Sequence, residues 1–236
     1  MSPSSLTNNT SALCPAQLHA DLSYLVHDMR VSINTTLTCF AVLKKSIASE
    51  EHSLAVEQAL EAGPRSAIKT LNMINMMLDA PRLSTGEYVL QRGRVELHTL
   101  IANIIADLMP LARDYGVEIL NEASLRLPPL DVDGELLNRV FQNLLDNALK
   151  FTPPYGEIEV HADCVMDQAP HILCSILDSG PGIPAEYLGE IFTRAGPLTR
   201  GRRRGAGLGL PFCQLVIERH GGRIWAENRP QGGAAF

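Results

Sequence analysis

The sequence has no surplus of positive charge, no paired cysteine motif and no long uncharged apolar run. Lysine and arginine total 20 against 26 aspartates and glutamates, a formal net charge of −6. A balance of that sign argues against broad nucleic-acid binding. The five cysteines, Cys14, Cys39, Cys164, Cys174 and Cys213, are odd in number and contain no Cys-x-x-Cys. That pattern fits buried thiols in a reducing cytoplasm better than a disulfide framework or a zinc site. No apolar run free of charge reaches the roughly 18 residues of a membrane span, and no signal-peptide pattern opens the chain. What is present is a composition 45% hydrophobic and 19% charged over 236 residues, which is globular and long enough for one or two domains.

Residues 1–16 are rich in Ser, Thr and Asn without apolar periodicity, and read as a disordered arm. From 17 to 46, Leu22, Leu25, Met29, Ile33, Leu37, Phe40 and Leu43 recur every three or four positions, the seam of a long helix. His27 faces away from that seam, on the side of Ser23, Arg30 and Asn34. A second helical pattern covers 53–83, with Leu60, Ile68, Leu71, Ile74 and Leu78 in its seam, and Gly63-Pro64 is expected to kink or divide it. A two-helix hairpin cannot bury both seams by itself, so the stripes require a partner. From Gly86 the pattern becomes mixed. Strands are expected over 88–94, 117–121, 158–162, 172–177 and 223–227, the fourth apolar enough for burial on both faces. Helices are expected over 97–115, 133–150 and 210–220. Helices set against one mixed sheet give an α+β sandwich.

Three stretches carry the chemistry. In Asn143-Leu-Leu-Asp-Asn-Ala-Leu-Lys-Phe-Thr152, Asn143 and Asn147 lie one above the other on a helix face, with Lys150 three residues further along. Asp178-Ser-Gly-Pro-Gly-Ile-Pro184 follows an apolar strand, and Gly205-Ala-Gly-Leu-Gly-Leu210 opens a helix. Singly, these read as solvated polar residues, a glycine turn and a flexible loop. In this order they resemble the ATP-binding domain of sensor histidine kinases, of the superfamily shared with gyrase, heat-shock chaperones and mismatch-repair ATPases. His27-Asp28-Met29-Arg30 resembles the kinases' phosphoacceptor motif, His-Glu-Leu-Arg-Thr-Pro-Leu. Met77-Met-Leu-Asp-Ala-Pro-Arg-Leu-Ser-Thr-Gly86 resembles the motif that closes their second helix.

The resemblance implies a fold, an organisation and an activity. The fold would be α+β: a helical hairpin forming a dimeric four-helix bundle, then an α/β sandwich. Residues 17–86 would be the dimerisation and phosphoacceptor hairpin and 87–236 the catalytic ATP-binding domain. The activity would be that of a cytoplasmic two-component histidine kinase core, a homodimer with no membrane segment. It would phosphorylate His27 from Mg-ATP, with Asp28 orienting the ring, and pass the phosphoryl group to an aspartate of a response-regulator receiver domain. Asp178 would read adenine, with Gly180 and Gly182 letting the backbone approach the base. Asn147 would bind Mg2+, Lys150 and Phe151 would flank the phosphates, and the backbone of Gly205, Gly207, Leu208 and Gly209 would hold them.

Asn143 stands where ATP-hydrolysing relatives carry a glutamate base, so a superfamily ATPase is the weaker alternative. A degenerate dimeric scaffold is the other, because the lid between Phe192 and Gly205 departs from the family. Ala195 and Pro197 replace an aromatic and an arginine, and one of Arg200 to Arg204, represented by Arg202, would supply the missing phosphate contact. Val31, one turn after His27, replaces the Thr or Asn with which many family members place a water for receiver dephosphorylation, and Ser32 replaces a proline.

Overall fold

The computed structural model describes residues 29–43, 45–46, 54–166, 170–192 and 209–236. The expected arm at 1–16, His27 and Asp28, and the lid segment 193–208 lie outside the described residues.

Two helices come first, α1 over 29–43 and α2 from Leu54 to Thr85. Serine hydroxyls and small side chains join them. Ser32 is buried, its hydroxyl lies 2.5 Å from the Ser66 carbonyl oxygen, and the Ser66 hydroxyl donates to the Ser32 carbonyl at 2.7 Å. Gly63 packs on buried Cys39, where an added Cβ would lie 3.3 Å from the cysteine Cβ. Of the two outcomes expected at Gly63-Pro64, division of the helix does not occur. α2 runs helical through Gly63-Pro64 without division, although proline removes one ladder hydrogen bond there. Close packing of the glycine against α1 offsets the loss. The outer seam stays open, with Leu37, Phe40, Leu60, Leu71 and Leu78 each more than half exposed.

The α+β body follows. β1 (Gly93–Val95) pairs antiparallel with β3 (Leu130–Val132) as a small separate sheet. The expected strand at 88–94 therefore shrinks to its end, because Tyr88 to Arg92 instead bridge from α2 to the helical layer. The main sheet has the order β2-β4-β5-β7-β6, from β2 (Glu118–Ala123), β4 (Glu157–Met166), β5 (Pro170–Asp178), β6 (Glu227–Asn228) and β7 (Ala234–Ala235). β2 and β4 are parallel and the other pairs antiparallel. The strand expected at 223–227 forms only at Glu227 and Asn228.

Helices α3 (Leu97–Tyr115), α4 (Gly134–Phe151) and α5 (Gly209–Arg219) supply the core that covers the sheet. Leu97, Ile101, Ile104, Leu136, Leu145 and Leu149 of the helices are buried with Ile158, Val160, Ala162 and Ile176 of the strands. β5 is covered on one face only, contrary to the expectation of burial on both, since Leu173 is 37% exposed. α3 ends where Gly116 turns left-handed at φ 64°, with the Val117 amide bonded back to the Ala112 carbonyl at 2.9 Å. Cysteine burial is likewise mixed: Cys39 and Cys213 are buried, Cys164 is exposed, and burial pushes the Cys174 thiol up to about 12.

α2 also meets α4, through one stripe on each. Asp79 accepts from Arg139 Nη1 at 2.7 Å and Asn72 donates to Gln142 at 3.2 Å. Met76 Sδ accepts from Asn143 Nδ2 at 3.4 Å, and Lys69 acts on the carboxylate of Asp146. Desolvation works against the Arg139 charge, but hydrogen bonds to Asp79 and Glu135 outweigh it and hold the guanidinium above its ordinary value. The Arg139 and Asp79 side chains are only 9% and 15% exposed. Loss of one partner therefore leaves a poorly solvated charge, although Glu135 still serves Arg139. Asp79→Ala is expected to lower stability by about 1–3 kcal/mol, while Asp79→Leu with Arg139→Met stays near neutral. Chemical denaturation checks both, and an unchanged midpoint in Asp79→Ala would remove the pair from the account.

Candidate nucleotide site

α4 places the first motif. Asp133 caps the helix, its Oδ1 accepting from the Leu136 amide at 3.1 Å, and the apolar stripe Leu136, Val140, Leu144 and Ala148 faces the core. Asn143 and Asn147 lie at the edge of that stripe, one above the other, both half-buried. Lys150 lies in the last turn, where the helix dipole favours a cation, with Nζ 5.1 Å from the centre of the Phe151 ring.

Asp178 is the last residue of β5 and only 4% exposed, so it is not a solvated turn aspartate. Its Oδ1 accepts from the Gly180 amide at 2.8 Å and the Ala234 amide at 3.2 Å. Its Oδ2 makes no hydrogen bond to the described residues. A carboxylate with one oxygen fixed by backbone and the other open is oriented to accept a proton from a ligand. Gly180 and Gly182 meet needs within the protein first. A Cβ on Gly180 would lie 2.8 Å from Asp178 Oδ1 and 3.0 Å from the Phe151 carbonyl oxygen. Gly182 has φ 75° and would clash with Asn228 Oδ1 at 2.8 Å. The loop thus lies directly on the end of α4, where Thr152 Oγ1 is buried with no hydrogen-bond partner among the described residues.

The third motif meets the first at Gly209, the opening residue of α5, where an added Cβ would lie 3.1 Å from Asn143 Oδ1. Gly205, Gly207, Leu208 and Arg202 lie outside the described residues. Sequence reasoning missed Asp146, one residue before Asn147. Burial raises its carboxyl above the ordinary range, opposed by Lys69 and Lys150. It also missed Asn228, whose side chain bonds the loop after Asp178. The only trace of that turn in the sequence is the doublet Gly232-Gly233, both at positive φ.

Nothing among the described residues forms a group of three or more His, Cys, Asp or Glu suited to a metal ion. The donor set fits a hard cation delivered with phosphates. Asn147 presents a carboxamide that makes no hydrogen bond to the described residues, and magnesium accepts one protein oxygen while keeping several waters.

Comparison with known proteins agrees with this geometry. Residues 132–236 match the model of the histidine kinase-, DNA gyrase B- and HSP90-like ATPases. The adaptive-response sensory kinase SasA of Synechococcus sp. (strain JA-3-3Ab) is 30% identical over 219 residues, which cover 91% of this chain and 57% of that protein. The chain thus spans just over half of that relative. A solved catalytic domain of histidine kinase ThkA is 28% identical with a TM-score of 0.54, covering 62% of this chain and 92% of that one. The crystal structure of ThkA in complex with response regulator protein TrrA covers 94% of this chain and 60% of that one, with TM-score 0.57 and 21% identity, a likeness of fold. Over 91% of its length the chain is thus similar to a sensory histidine kinase, and residues 132–236 are its ATPase-family portion.

Proposed function

We propose that this chain is the kinase core of a two-component system, binding Mg-ATP, phosphorylating itself on His27 and passing the phosphoryl group to a receiver-domain aspartate. Asp178 carries the reading: it is buried, its Oδ1 is held by two backbone amides, and its Oδ2 makes no hydrogen bond to the described residues. An exocyclic amino group of adenine is the proton donor that this oxygen suits. Asn147 would hold Mg2+, which supplies charge neutralisation on the phosphates, while Lys150 and the amides opening α5 add positive potential. Asn143 has no proton-accepting carboxylate, so water is left unactivated and the imidazole of His27 is the nucleophile. Its ring nitrogen bonds to the γ-phosphorus as the bond to the bridging oxygen breaks and ADP leaves. Asp28 orients the ring through the other nitrogen.

The organisation proposed is the one expected from the sequence: an arm at 1–16, a phosphoacceptor hairpin at 17–86 and a catalytic domain at 87–236. The open apolar seam of α1 and α2, including Leu37, Phe40, Leu60 and Leu71, supports pairing of two hairpins as a homodimer. The receiver partner is proposed by analogy with the ThkA–TrrA complex. No helix among the described residues is long and apolar enough to cross a membrane.

His27→Gln is expected to abolish autophosphorylation with ATP affinity near normal. Acid-labile label retained on that variant would eliminate His27 as the acceptor. Asp178→Asn is expected to weaken ATP binding by about 1.5–3 kcal/mol, the scale of a charge-assisted hydrogen bond. Calorimetric titration checks it, and wild-type affinity would place the adenine elsewhere. Val31 is 52% exposed on α1 and has neither donor nor acceptor to place a water. Little receiver phosphatase activity is therefore expected, with a gain in Val31→Thr. The lifetime of a phosphorylated receiver with and without the protein measures this.

A further inference from the structure

The β6–β7 hairpin contains none of the three nucleotide motifs, yet it grips both ends of the loop from Asp178 to Pro184. The Asn228 carboxamide accepts from the Ile183 amide through Oδ1 at 2.7 Å and donates to the Ile183 carbonyl through Nδ2 at 2.7 Å. That donor–acceptor pair is what a residue of an adjacent strand exchanges with its partner. Here a side chain makes it, where Gly182 leaves room by lacking a Cβ.

At the other end of the hairpin, Ala234 donates to Asp178 Oδ1 at 3.2 Å. Gly233, at φ 89°, approaches so closely that an added Cβ would lie 1.8 Å from the Asp178 carbonyl oxygen. Between them Arg229 donates to that carbonyl at 3.3 Å and to Glu159 at 2.8 Å. The turn is closed by bonds from the Arg229 amide to the Gly233 carbonyl and from the Gly232 amide to the Arg229 carbonyl, each 3.0 Å.

We propose that Asn228 is a positioning residue for purine selection. It fixes the Ile183 end of the loop while the same hairpin fixes Asp178, so that Asp178 Oδ2 stays aimed at one point. The inference rests on the ATP reading above and assigns Asn228 no contact with the nucleotide. Asparagine suits the place because it offers one donor and one acceptor to a single residue's backbone. Aspartate would keep the acceptor and turn a second acceptor onto the Ile183 carbonyl. Asn228 is itself exposed. Water can therefore take over its hydrogen bonds when it is removed, and the loss falls on the aim of the loop more than on folding.

The experiment is competition binding of ATP and inosine triphosphate, which carries a carbonyl in place of the amino group. The proteins are wild type, Asn228→Ala, Asn228→Asp and Asp178→Asn, each with its melting temperature. Asn228→Ala is expected to lower ATP affinity roughly three- to tenfold, the scale of one or two exposed hydrogen bonds, with inosine triphosphate binding little changed. Asn228→Asp is expected to lose at least as much preference for ATP. Preference intact in Asn228→Ala but collapsed in Asp178→Asn would overturn the role of Asn228 and leave the adenine site standing. An equal loss of both nucleotides in Asn228→Ala would also overturn it, marking a general structural role. Preference intact in Asp178→Asn would overturn the adenine reading and this inference with it.

Discussion

Asp133 is 2% exposed, and its polar atoms meet partners from three separate parts of the chain. Oδ1 caps α4 at the Leu136 amide, and Oδ2 accepts from the Gln91 amide at 2.9 Å. Its own amide donates to His220 Nε2 at 3.0 Å, just beyond α5. A carboxylate so buried is tolerated only when its oxygens are hydrogen-bonded, and each of these partners fixes one direction. The start of α4, the segment leaving α2 and the end of α5 are therefore located together. Asn143, Asn147 and Lys150 take their positions from the same helix, about three to five turns later.

The bond from Asp133 to His220 also fixes the imidazole. His220 Nδ1 lies 2.8 Å from the Val216 carbonyl oxygen and must donate, which leaves Nε2 as the acceptor for the Asp133 amide. Only the neutral ring with its proton on Nδ1 satisfies both contacts. α5 thus closes against α4 at its C-terminal end through a histidine and at its N-terminal end through Gly209 against Asn143. The glycine motif and the asparagine motif are brought together by contacts at both ends of α5.

Much of this was legible in the sequence, for identifiable reasons. A helix expected over 133–150, with Asn143 and Asn147 four positions apart, made their shared face legible. Asp178 was legible as the end of an apolar strand followed by two glycines. The packing of Gly63 on Cys39 was not legible, because it is a contact between residues 24 positions apart and has no local signature. The residues 88–92 look like a strand in composition but have no partner strand, and sheet pairing is decided by partners more than by propensity. Asn228 was invisible because its work is done on Ile183, 45 residues earlier. A carboxamide standing in for a strand leaves no periodicity to read.

The two faces of α2 differ in chemistry, and the difference bears on how the helical pair is joined to the α+β body. One stripe, Lys69, Asn72, Met76 and Asp79, meets Asp146, Gln142, Asn143 and Arg139 of α4 in antiparallel order. The other stripe, Leu60, Ile68, Leu71 and Leu78, is apolar and more than half exposed. An apolar face left in water keeps its full hydration cost until a partner covers it, and nothing in water substitutes for that partner. Polar contacts are exchanged for water at far smaller net change, about 0.5–1.5 kcal/mol for a typical neutral hydrogen bond. Of the four contacts to α4, the Asp79–Arg139 pair is buried enough to exceed that scale when broken singly. The apolar stripe is therefore suited to a lasting joint and the polar stripe to one that can open. The polar stripe lies on Asn143 itself, so opening it changes the surroundings of the nucleotide motif and closing it restores them.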